Sequence, residues 1–148
     1  MNTTTARRTV TLREVRARVP ELAASLAADT ARREAERELP YGSMDAVRAS
    51  AIGSLRVPVA YGGPGASLVD LFRTIIDLAE ADANVAQALR PHFGFLEKLI
   101  SDSGREDRER WFGAALAGEL FGNTPGRPPP STPATSTPRW CPTATATG

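Results

Sequence analysis

Residue types that often carry chemistry are scarce in this sequence. Its 148 residues include one cysteine, Cys141, and one histidine, His92. One cysteine cannot form an intramolecular disulfide, and neither residue type offers the clustered ligands of a structural metal site. We therefore expect no disulfide framework and no bound metal, and a lone cysteine fits a reducing compartment. No run approaches the roughly 20 apolar residues that a membrane-spanning helix needs, so we expect no membrane partner.

The charge balance excludes another class of function. The formal net charge is +1, from 18 basic and 17 acidic residues, which is too small for a strongly basic nucleic-acid binder. The first 19 residues are rich in Thr and Arg and lack the apolar segment of a secretory signal. A transit peptide is conceivable, but the same stretch leads into a helical pattern. The sequence therefore predicts a cytoplasmic protein.

Proline is concentrated at the C-terminal end of the chain. Of the 12 prolines, most lie in residues 124–148, which contain no Asp, Glu, Lys, Leu, Ile, Val or Phe. This composition predicts a disordered Pro/Thr-rich tail that is separate from the preceding domain. A second interpretation is a shifted reading frame, because the shifted codons near the end can spell a strand, an Asp-Gly turn and another strand. The nucleotide sequence past codon 123 distinguishes the two.

The first half of the chain carries the spacing of helices. Apolar residues recur at steps of three and four from Leu12 to Leu26, as in a helix that buries one face. Proline suits a first helical turn, so Pro20 predicts a division into a lead-in over residues 1–19 and a main helix over about 20–38. A second short helix is predicted to begin at a Ser43 cap and to end near residue 50.

Three more helices are expected further along the chain. Ser67 and Asp70 have the spacing of a capping box, and Asp82 falls on the polar face of the helix that follows. Pro91 is expected to kink the next helix or to mark a junction, and Gly118 is a natural stop for the last. The predicted ranges are about 68–82, 83–100 and 105–117. Together with the first two, they predict an all-α domain of about five helices over residues 20–123.

The segment between the second and third helices is expected to be an ordered loop. Residues 51–66 combine four glycines and two prolines with several large apolar residues. Glycine and proline prevent a long helix, whereas the apolar side chains need burial. The glycines do not form a phosphate-binding loop, because no Lys-Ser/Thr pair follows them and no strand precedes them.

Few side chains suggest catalysis by themselves. The acidic residues near 34–38 and 105–110 alternate with arginines, as on a solvated helix face. A lone histidine is more often a core or surface residue than a catalytic group. His92 is a candidate because it follows Pro91 and is flanked by Phe93 and Phe95, an apolar setting in which the pKa of an imidazole can shift.

Several motifs together resemble a known superfamily. Leu55-Arg56-Val57-Pro58 followed by Tyr61-Gly62-Gly63-Pro64-Gly65 resembles a segment of acyl-CoA dehydrogenases. Residues 89–95 and 110–123, which include His92 and Gly122-Asn123, resemble the dibenzothiophene and dimethylsulfone-related desulfurisation monooxygenases, a flavin-dependent branch of the superfamily. The resemblance covers residues 20–123. It implies the N-terminal helical domain of the acyl-CoA dehydrogenase fold.

This resemblance implies a function and site residues. Enzymes of the branch use reduced flavin and oxygen to oxygenate a small sulfur-containing or aromatic substrate. It implies that His92 is catalytic and faces the reactive edge of the flavin, and that Asn123 lies beside the flavin ring. Both roles suit the residue types, because an imidazole can exchange a proton and an amide can hold a ring edge.

The resemblance ends where the superfamily continues with a β-domain and a helical bundle. Those parts supply most flavin contacts and the homotetramer interface, so we expect this chain alone to bind FMN or FAD incompletely and to be inactive. We also expect an exposed apolar patch where such parts would dock. Two alternatives remain open: an acyl-CoA dehydrogenase fragment that uses FAD, and a stand-alone helical interaction module.

Overall fold

The part of the chain that the computed structural model describes, residues 10–122, contains five α-helices joined by short connections. The predicted all-α class is confirmed, because no strand occurs within these residues. The helices are α1 (Leu12–Glu36), α2 (Tyr41–Ser50), α3 (Leu68–Ala81), α4 (Ala83–Ser101) and α5 (Arg108–Leu116). In the same range, no helix is long and apolar enough to cross a membrane.

Helix α1 is continuous through its proline, so the predicted break at Pro20 is wrong. The helix begins in a capping box in which Thr11 and Glu14 satisfy each other's backbone N–H groups. Pro20 lies in the middle of the helix, between Val19 and Leu22, which are both buried. Burial of this apolar stripe on both sides of Pro20 outweighs the one helical hydrogen bond that proline removes.

The start of α2 also differs from the prediction. The helix begins at Tyr41, two residues before Ser43, and the carbonyl of Pro40 accepts the N–H of Met44 at 2.9 Å. Pro40, with φ −80° and ψ 46°, lies just outside the helix as its N-cap residue, and no side chain caps the first turn. Ser43 lies inside the helix and is not its cap.

The predicted ordered loop over residues 51–66 is confirmed. It contains two 3-10 turns, Ile52–Ser54 and Val59–Tyr61, and it buries Ile52, Leu55 and Val57 completely. Arg56 fastens the loop to α4, since its guanidinium forms hydrogen bonds with both carboxylate oxygens of Glu97. The loop therefore packs as part of the core between α2, α4 and α5.

A buried ion pair joins α1 to the junction of α3 and α4. Asp82 is 1% exposed, so its predicted place on a solvated polar face is wrong. One carboxylate oxygen accepts the N–H groups of Asn84 and Val85 and so caps α4, and the other accepts from Thr30 and from the buried guanidinium of Arg33. The chain turns from α3 into α4 at this residue, and a carboxylate at that point satisfies donors from both sides.

Helix α3 buries only part of its apolar face. Its predicted capping box, Ser67 with Asp70, is confirmed. Leu71 and Leu78 enter the core, but other apolar side chains of α3 remain about half exposed: Leu68, Val69, Phe72 and Ile76. An apolar groove of about 540 Å³ runs between α3 and α4 beside them. The expected exposed apolar patch is therefore present on this side of the domain.

Replacing Gly63 by Ala is expected to destabilise the fold. A Cβ at Gly63 would lie 2.2 Å from the carbonyl oxygen of Val57 and 2.4 Å from its Cβ. These are backbone or near-backbone atoms, so the loop itself must move, and we expect G63A to lower the free energy of unfolding by about 3 kcal/mol. Urea unfolding measures this. The control is G42A, whose Cβ meets nothing within 4 Å; equal stability of the two variants would contradict the close approach.

Removing the charge of Asp82 is expected to cost about 2 kcal/mol, because D82N leaves the buried Arg33 guanidinium with Asp29, a half-exposed carboxylate 3.2 Å from its Nε, as its remaining counter-ion. Burial opposes ionisation of Asp82, but hydrogen bonds from Arg33, Val85 and Thr30 outweigh it and hold the pKa of the carboxyl below 3.8. The wild type should therefore lose this stabilisation as the pH falls below about 4, whereas D82N should not. Urea unfolding at pH 7 and at lower pH tests both expectations.

The matched control for Asp82 is D45N. Asp45 pairs with Arg48 at 2.7 Å on the exposed surface, where such pairs contribute less than about 1 kcal/mol. A similar loss of stability in D45N and D82N would show that burial does not increase the contribution of the Asp82 ion pair to the free energy of unfolding.

Candidate functional site

His92 lies on the inner face of α4. It is completely buried, as are Leu89 and Leu96 at helical spacings of three and four residues from it. The apolar stripe of α4 thus carries the imidazole into the core. Pro91 precedes it inside the helix, which continues on both sides, so Pro91 marks no junction.

Both ring nitrogens of His92 have backbone partners. Nε2 lies 2.7 Å from the carbonyl oxygen of Gly53, and Nδ1 lies 3.2 Å from the backbone nitrogen of Phe121. A backbone N–H can only donate, so Nδ1 must accept and Nε2 must carry the proton that it donates to Gly53. The site therefore selects the neutral imidazole protonated at Nε2.

The surroundings of His92 disfavour its charged form. The ring stacks on Phe121 at a centroid distance of 5.2 Å and meets the edge of Phe93 at 5.1 Å. Burial lowers the pKa of His92 below 6.5, and the hydrogen bond to the Gly53 carbonyl opposes this only in part. The predicted apolar setting of His92 is confirmed, and the imidazole is held neutral at neutral pH.

Phe121 also lines an open aromatic cleft. It has a volume of about 600 Å³, and its lining includes Pro91, Phe95, Trp111, Leu120 and Phe121. The rings meet edge to face, with Phe95 and Phe121 at 5.0 Å and Trp111 at 5.5 Å from each. Such contacts fix the ring planes relative to one another, so the cleft presents rigid apolar walls.

One ionic cluster holds an edge of this aromatic cleft. Asp107 accepts from Arg105 Nε at 2.5 Å and from the indole N–H of Trp111 at 2.6 Å. These two hydrogen bonds lower the pKa of Asp107 to about 2. The guanidinium of Arg105, which also lines the cleft, lies 5.6 Å from the ring centre of Phe95. Asp107 therefore fixes both a cation and the Trp111 indole at the opening.

The cleft suits one class of ligand better than others. Its walls fit a face of a flat conjugated ring, since aromatic faces and edges contact such a ring over a large apolar area. Arg105 supplies a positive charge at the rim. Within residues 10–122, no three His, Cys, Asp or Glu side chains converge as metal ligands.

Of the two predicted site residues, the structure describes His92 but not Asn123. His92 stacks on Phe121, which lines the cleft, but His92 itself is buried and does not line it. Asn123 lies outside the described residues, and Gly122, the last described one, lines the cleft. The catalytic role of His92 and the flavin contact of Asn123 stay predictions.

Sequence reasoning missed the Arg105–Asp107–Trp111 cluster. The alternating charges over residues 105–110 indicate a solvated helix face and do not by themselves point to a paired cluster. The available signal was the spacing of Asp107 and Trp111, four residues apart, which brings a carboxylate to the indole N–H on one helix face.

Comparisons with known proteins agree with this fold. The family model described as acyl-CoA dehydrogenase, N-terminal domain, matches residues 9–119. A Pseudomonas putida protein named probable FMNH2-dependent monooxygenase SfnC is 32% identical over 92 residues, which cover 62% of this chain and 23% of that protein. The chain thus spans about a quarter of this curated relative. No solved structure shows a significant match.

The titration of His92 can be followed without ambiguity, because the chain has one histidine. We expect a pKa below 6.5 in the folded chain and ring nitrogen shifts of the tautomer protonated at Nε2. The unfolded state then binds protons more readily, so His92 should reduce stability as the pH falls below about 6.5. NMR of the imidazole measures the pKa and the ring nitrogen shifts, and urea unfolding at several pH values measures the stability. The same chain in urea is the reference; an equal pKa in both states would contradict the burial effect.

Proposed function

Because the chain belongs to the acyl-CoA dehydrogenase N-terminal domain family, we propose that it forms the N-terminal part of a flavin-dependent monooxygenase. The proposed reaction uses reduced flavin and oxygen to oxygenate a small sulfur-containing or aromatic substrate. The family match over residues 9–119 carries the flavin-enzyme part of this proposal. The name of the Pseudomonas putida relative favours a monooxygenase over a dehydrogenase and FMN over FAD.

The aromatic cleft is the proposed contact of this chain with the flavin. Phe95, Trp111 and Phe121 would pack against the ring system and exclude water from it. Reduced flavin, when bound, supplies the electrons for oxygen activation. The paired side chains of Arg105 and Asp107 would place a local dipole near the ring, and Asp107 would hold the Trp111 indole in position.

The cleft is one wall of a flavin site rather than the whole of it. Among the described lining residues, Arg105 is the one with a charged side chain, and its guanidinium is paired with Asp107. A flavin also has a polar ring edge and a phosphate, which need several donors. We propose that protein regions beyond this family domain supply them, and that those regions cover the exposed face of α3 in a tetrameric assembly.

Titration with FMN tests the proposed contact. We expect the 148-residue chain to bind FMN with a Kd above about 1 µM, because one apolar wall supplies only part of the binding free energy. NMR should show the largest shifts at Trp111, Phe121 and Gly122, including the indole N–H. D107N should weaken binding, because it releases Arg105 and Trp111. The matched control is D45N, a carboxylate paired with Arg48 on the exposed surface.

Two outcomes would contradict the proposed contact. The first is a chain that purifies with a full equivalent of tightly bound flavin, because the described cleft is too incomplete for that. The second is the absence of shifts at the cleft at millimolar FMN. Shifts confined to the groove between α3 and α4 on titration with an acyl-CoA would favour the dehydrogenase alternative.

The reaction class needs a test in a longer protein. Residues 9–122, which include the whole cleft, can replace the corresponding region of the Pseudomonas putida relative, and the chimera can be supplied with reduced FMN, labelled oxygen and small sulfur compounds. Retained incorporation of the label into product is the expected result, because this domain then completes the flavin site of a monooxygenase. A folded chimera that binds FMN but incorporates no label would contradict the monooxygenase proposal.

A further inference from the structure

The position of His92 raises the question of how it could influence a ligand in the aromatic cleft. The imidazole is fully buried and does not line the cleft, whereas Phe121, which stacks on it, does. Both ring nitrogens are engaged by backbone groups. A ring nitrogen could exchange a proton with a bound ligand only after one of these hydrogen bonds breaks.

We propose that His92 is a positioning residue of the flavin site, which acts by holding Phe121 through its Nδ1 atom. The proposal rests on the proposed function, since it assigns His92 a role at that flavin wall. It is separate from the role that the family resemblance implies for His92, because it concerns the contact with Phe121 and not the flavin itself.

Phe121 depends on this contact because of where it lies. The chain leaves α5 through Gly118, whose φ of +92° turns it away from the helix, and then runs without regular secondary structure to Gly122. The N–H of Glu119 still bonds to the carbonyl of Ala114. Two residues later, the N–H of Phe121 bonds to a side chain of α4 instead. The His92 imidazole thus fixes the segment that forms one wall of the cleft.

Gly53 fixes the imidazole in turn. Its carbonyl accepts from Nε2 and so leaves Nδ1 as the unprotonated acceptor that Phe121 needs. A Cβ at Gly53 would lie 3.3 Å from Nε2 and 2.7 Å from Leu120 Cδ2. The loop therefore approaches both His92 and the terminal segment as closely as glycine allows, which sets the orientation and the tautomer of the ring.

Two amide substitutions separate the two hydrogen bonds. In H92N, the side-chain oxygen occupies the level of Nδ1 and can accept from Phe121, but the side chain is too short to reach Gly53. In H92Q, the terminal amide occupies the level of Nε2 and can donate to Gly53, but no acceptor lies at the level of Nδ1. Neither amide titrates, so both variants remove any proton transfer equally.

Hydrogen exchange of the Phe121 amide and the FMN-induced shift of the Trp111 indole are the two measurements. We expect H92N to keep the exchange protection of Phe121 within about threefold of wild type, and H92Q to lose at least about tenfold. The FMN-induced shift of the Trp111 indole should likewise stay close to that of wild type in H92N and be reduced in H92Q. The amide of Glu119, bonded to Ala114, is the internal control and should stay protected in both variants.

Other rankings would overturn the proposal. Equal protection of Phe121 in H92N and H92Q would show that Nδ1 does not hold it, and an unchanged FMN response in H92Q despite lost protection would show that holding Phe121 does not matter. If neither variant folds, acid titration of the wild type decides: the protection factor of the Phe121 amide should fall as His92 becomes protonated, because an imidazolium Nδ1 cannot accept, while that of Glu119 should not change. A Phe121 protection factor that stays constant while His92 titrates overturns the proposal.

Failure of the proposed function gives a different pattern. A wild-type chain whose cleft does not respond to FMN contradicts the flavin site, whatever the variants do. The exchange ranking then reports on the His92 contact alone, and His92 is a structural contact and not a positioning residue.

Discussion

The neutral imidazole of His92 joins three parts of the chain that are far apart in sequence. It sits on α4, donates to the loop at Gly53 and accepts from the segment at Phe121. A protonated ring could not make the second contact, and a fully buried charge would be costly among aromatic neighbours. Loop, helix and terminal segment therefore share one requirement, a neutral ring of defined tautomer, and the aromatic cleft is built on the segment that this ring holds.

Local signals predicted the helices where chemistry close in sequence decides the structure. The capping box of Ser67 and Asp70 predicts the start of α3, and the apolar spacing from Leu12 to Leu26 predicts the buried face of α1. The errors arose where distant contacts outweigh local preference. Pro20 normally starts a helix, but burial on both sides keeps α1 continuous. Asp82 looks solvated by periodicity, yet Arg33 from another helix makes its burial possible.

The candidate site was less accessible to sequence reasoning than the fold. The aromatic residues beside His92 indicate an apolar setting. Its hydrogen-bond partners are backbone groups of residues 53 and 121, and backbone partners cannot be inferred from residue types. The Asp107–Trp111 contact does follow helical spacing. It was hidden because alternating charges on a short helix are more often a solvated surface, and only the packing of α5 against the loop distinguishes the two cases.

The domain keeps buried charge away from the end that forms the site. Its buried ion pair, Arg33 with Asp82, fixes α1 to the turn between α3 and α4, whereas the core around His92 is held by hydrogen bonds between neutral groups. At the aromatic cleft, Arg105 is paired with Asp107, so it adds a local dipole more than an isolated charge. The reduction potential of a conjugated redox ring responds strongly to a nearby charge, because the electric field of that charge is stronger where the dielectric constant is low. In the proposed flavin site, a wall of neutral, fixed rings would therefore leave the electronic tuning of the ligand to groups outside this domain.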